Sequence, residues 1–137
     1  MDRIVAVETQ DLVHVYPKGG VKALKGVNLK VYENDKMSIV GQNGSGKTTI
    51  VRHFNGLLRP TEGKVLLFGE DTAGKSVGDM ARRCGYVFQN PNHQIFCTTV
   101  KEELEVGPNN FNFSEEEKNA EIEKVVEMMN LQDNKHL

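Results

Sequence analysis

Val5, Val7, Val13 and Val15 alternate in part with polar residues over residues 4–16, the period of one or two extended segments buried on one face. The stretch ends at Tyr16-Pro17-Lys18-Gly19-Gly20, a turn cluster. Residues 23–32 alternate again, with Leu24, Val27, Leu29 and Val31 on or near one face, so the turn predicts an antiparallel pair. Residues 36–40 are short and largely apolar, which reads as a buried strand, and residues 48–57 read as a helix. Leu57 to Gly63 breaks that helix, and residues 64–68 form another apolar strand; Gly69 intervenes before Glu70 and Asp71, so this strand ends in an ordinary turn. Residues 79–83 predict a helical turn and residues 85–88 a further strand. Thr98 or Thr99 starts a helix with Glu102 and Glu103 in its first turns, stopped by Gly107-Pro108. Ser114 and Glu117 have capping-box spacing, and the helix they open carries Ile122, Val125, Val126 and Met129 on one stripe. Met128 and Met129 read as packing residues.

The predicted strand at 36–40 and helix at 48–57 enclose Gly41-Gln42-Asn43-Gly44-Ser45-Gly46-Lys47-Thr48, which satisfies GxxxxGK[ST] at every fixed position. Glycines let the chain wrap tightly and aim successive backbone N–H groups inward as an anion nest. The helix beyond the loop adds the partial positive charge of its N-terminus. Lys47 contributes a mobile charge for β- and γ-phosphates, and the Thr48 hydroxyl is placed to ligate Mg²⁺. A nucleotide triphosphate is the ligand this chemistry expects.

Charge is unevenly spread although the net value is only −2. Residues 1–60 carry nine Lys and Arg against five Asp and Glu, and residues 101–137 four against ten. The basic part contains the phosphate loop, so its field favours an anionic nucleotide. No basic cluster is interleaved with aromatics, which counts against nucleic acid as a partner. Cys84 and Cys97 lack any paired ligand motif and read as small buried residues of a reducing compartment. No apolar run approaches the ~18 residues of a membrane span and no signal peptide opens the chain, so a cytoplasmic location is expected.

Three features combine into a family resemblance: Tyr16, 25 residues before Gly41; the loop from Gly41 to Thr48 with Thr49; and Tyr86-Val87-Phe88-Gln89-Asn90-Pro91 further on. That arrangement resembles the ATP-binding-cassette ATPases that drive membrane transporters. Asn92-His93-Gln94-Ile95-Phe96, Thr99-Val100-Lys101-Glu102-Glu103 and Gly107-Pro108 are similar to the energy-coupling-factor type, which powers uptake of vitamins or of cobalt and nickel ions. The resemblance covers nearly the whole chain. It implies an α/β fold: a phosphate-loop NTPase core with an antiparallel β subdomain over residues 1–89, and the start of a helical subdomain over 90–137. It implies that Tyr16 stacks on adenine and that Gly41, Asn43, Gly44, Ser45, Gly46, Lys47, Thr48 and Thr49 bind ATP. Lys47 and Gln89 become the catalytic candidates, with Thr48 and Gln89 holding Mg²⁺. A tyrosine that only stacks leaves its hydroxyl dispensable; without the phosphate loop, Tyr16 would read as an aromatic closing a hairpin. The implied partners are a transmembrane transporter subunit and a second cassette ATPase, at the cytoplasmic face of the membrane.

The chain contains no LSGGQ-type signature, no four-apolar-plus-Asp-Glu segment and no switch histidine; His14, His53, His93 and His136 all lie in other contexts. In the family those elements come later than Leu137, so the chain reads as the front portion of a cassette that binds nucleotide without turning it over alone. Three further readings stay open: a non-hydrolysing ATP-binding module, a soluble cassette protein of repair or translation, and a small-molecule kinase. The segment from Gln89 to Thr99, polar first and then apolar at Ile95, Phe96 and Val100, is expected to dock a membrane subunit. The competing expectation puts Ile95 and Phe96 in the core of the helical subdomain.

Overall fold

The alternating stretches become the first two strands of the computed structural model, which describes residues 3–133; His136 and Leu137 lie outside the described residues. β1 (Val5–Val15) and β2 (Lys22–Tyr32) pair antiparallel, with Thr9 opposite Leu29 and His14 opposite Leu24. β3 (Glu62–Leu67) pairs antiparallel with the other edge of β1, and β4 (Glu70–Asp71) folds back on β3, for a sheet order β2-β1-β3-β4. In β2, Leu24 is buried and Val27, Leu29 and Val31 half-buried, while Lys25, Gly26, Asn28 and Lys30 are exposed, so the alternation sorts the two faces as expected.

A bulge interrupts β1 at Gln10 and Asp11, where register shifts on both sides. Asp11 adopts φ 46°, and the Asn28 side chain closes the gap. The Asp11 N–H donates to Asn28 Oδ1 at 2.8 Å, and Asn28 Nδ2 donates to Asp11 Oδ1 at 2.9 Å. Across the bulge runs Gly63, at φ 78°, where a Cβ would stand 2.3 Å from the Asp11 carbonyl oxygen and 2.4 Å from that of Gln10. Only glycine lets β3 pass this close.

Helix α1 (Lys47–Phe54) packs on the sheet through Ile50, which joins Leu12, Leu24 and Val65 in a buried cluster flanked by Val27, Leu29, Val51 and Phe54. Leu12 and Val65 are fully buried; each such side chain contributes about 1.5–3 kcal/mol relative to exposure. The cluster ties α1, and the loop before it, to β1, β2 and β3. Helix α2 (Val77–Ala81) carries a Ser76–Asp79 capping box and buries Met80.

Two predicted strands do not form. Residues 36–40 have no ladder partner among the described residues, and Met37, Ile39 and Val40 are exposed. Residues 85–88 are likewise unpaired, with Val87 82% exposed. β-propensity records fit to a pleated, half-buried surface, and it makes no strand without a neighbour.

The described chain divides into two compact units between Tyr86 and Val87. In the second, a 3₁₀ turn (Pro91–His93) leads to α3 (Val100–Asn110) and α4 (Glu115–Met128). Both helices open on capping boxes, Thr99 with Glu102 and Ser114 with Glu117. Pro108 lies inside α3, which continues past the predicted stop. A proline this near the C-terminus removes one backbone donor, and the helix end is closed beyond it: Phe111 N–H reaches the Gly107 carbonyl and Phe113 N–H that of Pro108. On α4 the apolar stripe is buried at Val126 and half-buried at Ile122 and Val125, but Met128 and Met129 are 65% and 61% exposed, so they are not packing residues. Cys84 and Cys97 are free thiols and only half-buried.

Candidate functional site

The phosphate loop runs directly into α1, as its spacing requires. Gly46 is the N-cap at φ 91° and offers no side-chain cap. A Cβ there would meet the Ala23 carbonyl oxygen at 2.9 Å and Leu24 Cδ2 at 3.1 Å, so the loop lies tight against β2. At Gly41 a Cβ would lie 2.8 Å from Ser45 Oγ, a side-chain atom that can rotate away, so this position is less tightly held than Gly46. Ser45 N–H donates to the Gln42 carbonyl at 3.2 Å, tightening the turn around Asn43 and Gly44. Lys47 Nζ folds back over the loop and donates to the carbonyls of Gly41 at 2.8 Å and Gln42 at 2.7 Å. That places an ammonium at the loop mouth, with a third N–H to spare. The first turn of α1 has no acidic residue, and Arg52 and His53 occupy its last turn. The helix N-terminus therefore keeps its positive potential for an anion. Thr48 is exposed in that turn, next to the loop. A triphosphate fits this cradle through backbone N–H groups and Lys47, and Mg²⁺ would be held by the Thr48 hydroxyl together with phosphate oxygens.

Tyr16 comes to the same helix from the end of β1. Its backbone N–H donates to the Val21 carbonyl at 2.9 Å, which closes the β1–β2 turn, and its hydroxyl lies 3.0 Å from Thr49 Oγ1. The hydroxyl is not spare, in contrast to the expectation for a purely stacking ring. Thr49 is buried and held a second time through its carbonyl, which accepts from His53 Nδ1 at 2.7 Å. The His53 ring meets His14 edge to face at 4.8 Å, and His14 meets Tyr16 in the same manner at 4.6 Å. His14 Nδ1 donates to the Arg59 carbonyl at 3.1 Å. Carbonyls only accept, so both imidazoles carry their proton on Nδ1, and both Nε2 atoms are buried with no partner. Burial holds the His53 imidazole below its ordinary pKa, with repulsion from His14 adding to it and the Thr49 carbonyl opposing it.

Gln89 sits exposed at a bend in the second unit. The amides after it are used within their own loop: Asn90 Oδ1 accepts from Asn92 N–H at 3.1 Å, and Gln94 Oε1 from Phe88 N–H at 3.1 Å. Glu103 accepts from the backbones of Phe96 and Cys97, and Glu102 from Thr98 and Thr99. Their bonds hold the chain ahead of α3 so that Ile95 and Phe96 are 62% and 74% exposed. Neither residue is therefore buried among the described residues.

The sequence matches the ABC transporter family over residues 24–137. The chain belongs to the ABC transporter ATPases. An energy-coupling factor transporter ATP-binding protein, EcfA1, from Methanospirillum hungatei is 46% identical over 110 residues, covering 80% of this chain and 39% of the relative. The corresponding EcfA of Methanocaldococcus jannaschii is 41% identical over 128 residues, covering 92% of this chain and 46% of its own length. Among solved structures, cbiO1 from Clostridium perfringens, described as part of the ABC transporter complex cbiONQ, superposes with a TM-score of 0.83 at 27% identity. That match covers 96% of this chain and 53% of the other. The chain spans 22% to 54% of the length of the curated relatives it matches.

Within this ABC ATPase fold the structure brings Tyr16 to Thr49, which follows the phosphate loop and lies 33 residues from Tyr16 in sequence. Sequence reasoning missed His14 and His53, which lack the context of a switch histidine. Their signal was faint: polar rings at positions where an apolar residue would suit the buried face.

Proposed function

We propose that this ABC ATPase chain is the nucleotide-binding part of a transporter motor that takes MgATP. Lys47 and the backbone of Gly41, Asn43, Gly44, Ser45 and Gly46 hold the phosphates, Thr48 and Thr49 complete the helix start, and Tyr16 stacks on the base. The observation that carries this reading is Lys47 Nζ poised over the Gly41 and Gln42 carbonyls at the N-terminus of α1. In the whole protein, hydrolysis would drive solute uptake of the energy-coupling-factor type, for vitamins or for cobalt and nickel ions. Relatives named as energy-coupling-factor ATP-binding proteins support that subtype. Gln89 would report on Mg²⁺ and the γ-phosphate, and residues from about 90 onward would form the helical subdomain, a division supported by the family resemblance. The partners would be a transmembrane subunit, seated near the exposed Ile95 and Phe96, and a second ATPase of the same kind. Such a motor works at the cytoplasmic face of the membrane; no described helix is long and apolar enough to cross one.

Orienting the attacking water and fully holding Mg²⁺ require acidic side chains. No four-apolar-plus-Asp-Glu segment occurs in the 137 residues, so they bind nucleotide without turning it over by themselves. Calorimetric titration tests the site. Lys47→Ala weakens ATP by about 1.5–3 kcal/mol per lost charge-assisted contact and leaves adenosine unaffected. Unchanged ATP affinity in a folded variant would refute the reading, and Lys47-dependent phosphate release would refute the statement on turnover.

A further inference from the structure

We infer that His14 and His53 are positioning residues of the nucleotide site: the pair sets the orientation of the Tyr16 ring relative to the start of α1. The inference rests on the proposal that Tyr16 receives the base. Four residues form a closed circuit of contacts, from Tyr16 to His14 at 4.6 Å, His14 to His53 at 4.8 Å, His53 to the Thr49 main-chain carbonyl at 2.7 Å, and Thr49 Oγ1 back to Tyr16 at 3.0 Å. Both imidazoles are buried, at 6% and 1% exposure. Each is fixed in tautomer and ring plane by an Nδ1–H donated to a backbone carbonyl, Arg59 for His14 and Thr49 for His53. The circuit bridges the end of β1 to α1, two elements otherwise joined through apolar packing around Leu12 and Ile50.

Core filling alone does not account for this choice of residue. Leaving two Nε2 atoms buried without partners costs stability that an apolar ring of the same size would not. What the imidazole offers in return is direction: its Nδ1–H is aimed by a carbonyl, and its ring edge is thereby presented to the next ring at a defined angle, 76° between the histidines and 83° against Tyr16. A ring locked at Nδ1 and packed on its other edges holds an aromatic neighbour in one pose. That pose matters for a ring that must meet a flat base.

Calorimetry on the full chain with two probes, ATP and base-free inorganic tripolyphosphate, separates positioning from general support. Wild type binds ATP more tightly than tripolyphosphate, and Tyr16→Ala narrows that ratio by about fivefold, the worth of one stacking contact. His14→Ala and His53→Ala narrow it by about threefold or more while tripolyphosphate affinity stays within about twofold of wild type. His53→Gln, whose amide can donate to the Thr49 carbonyl but presents no ring edge to His14, restores only part of the ratio. Should the alanine variants not fold, His14→Phe, which keeps a ring and drops the Arg59 bond, and His53→Gln against His53→Leu carry the same comparison. An unchanged ratio in folded variants, or a parallel fall for both probes, overturns the inference. A wild type that binds neither probe overturns the nucleotide reading instead. A Tyr16→Ala effect with no histidine effect overturns the positioning role alone.

Discussion

Tyr16 joins two roles that a sequence presents as one, since its hydroxyl pairs with Thr49 while its ring abuts His14. Tyr16→Phe keeps the ring and loses the hydrogen bond. It therefore lowers stability by about 0.5–1.5 kcal/mol. Nucleotide affinity falls by less than the ~1 kcal/mol expected for Tyr16→Ala. Melting and calorimetry on both variants check the order; equal loss of affinity would give the hydroxyl the larger role. His53 adds a pH dependence whose sign is set by its lowered pKa. The unfolded chain protonates that imidazole near its ordinary value of about 6.5, whereas the folded chain resists until lower pH. Above about pH 6.5 the imidazole is neutral in both states, and below it the unfolded state binds more protons, so stability falls until the folded value is passed. Urea midpoints of His53→Gln should decline less than those of wild type just below that pH. Identical declines would remove His53 as the cause.

Among the elements, β1 and β3 are held in register around one unusual crossing. Gly63→Ala must accept both a left-handed φ and a Cβ inside contact distance of two carbonyl oxygens. The combined cost is about 2–5 kcal/mol. Gly69 has the same kind of φ, 79°, but nothing within 4 Å of a Cβ, so Gly69→Ala isolates the conformational part. That part is about 1–2 kcal/mol. Denaturation of the two variants side by side checks this, and equal costs would show that the bulge yields easily. At the other end of the chain, α3 and α4 begin where Thr99 and Ser114 cap them, because each box lies within four consecutive residues. Where α3 ends was not legible. A Gly-Pro pair disfavours continuation by local rules, yet the bonds from Phe111 and Phe113 carry the chain past it.

Over the whole molecule, the two units bring different surfaces to the proposed motor. The exposed Phe96 offers a docking contact in the second unit. In the intact transporter, Phe96→Ser should leave ATP binding and melting within about 0.5 kcal/mol of wild type, as for an exposed site, while uncoupling hydrolysis from transport. A large fall in melting temperature would assign Phe96 to a core instead. What the sequence determined by itself was whatever depends on a few consecutive residues: the alternation of β1 and β2, the capping box at Ser114, and the phosphate loop with its adjoining helix. Tyr16 and Gln89 were reached only through family resemblance. Tertiary structure alone decided that residues 36–40 and 85–88 remain unpaired, that Met128 and Met129 face outward, and that Tyr16 bonds Thr49 beside two buried histidines. Strand formation, burial and ring contact are properties of pairs, and the partners here lie up to dozens of positions apart, where no local pattern records them.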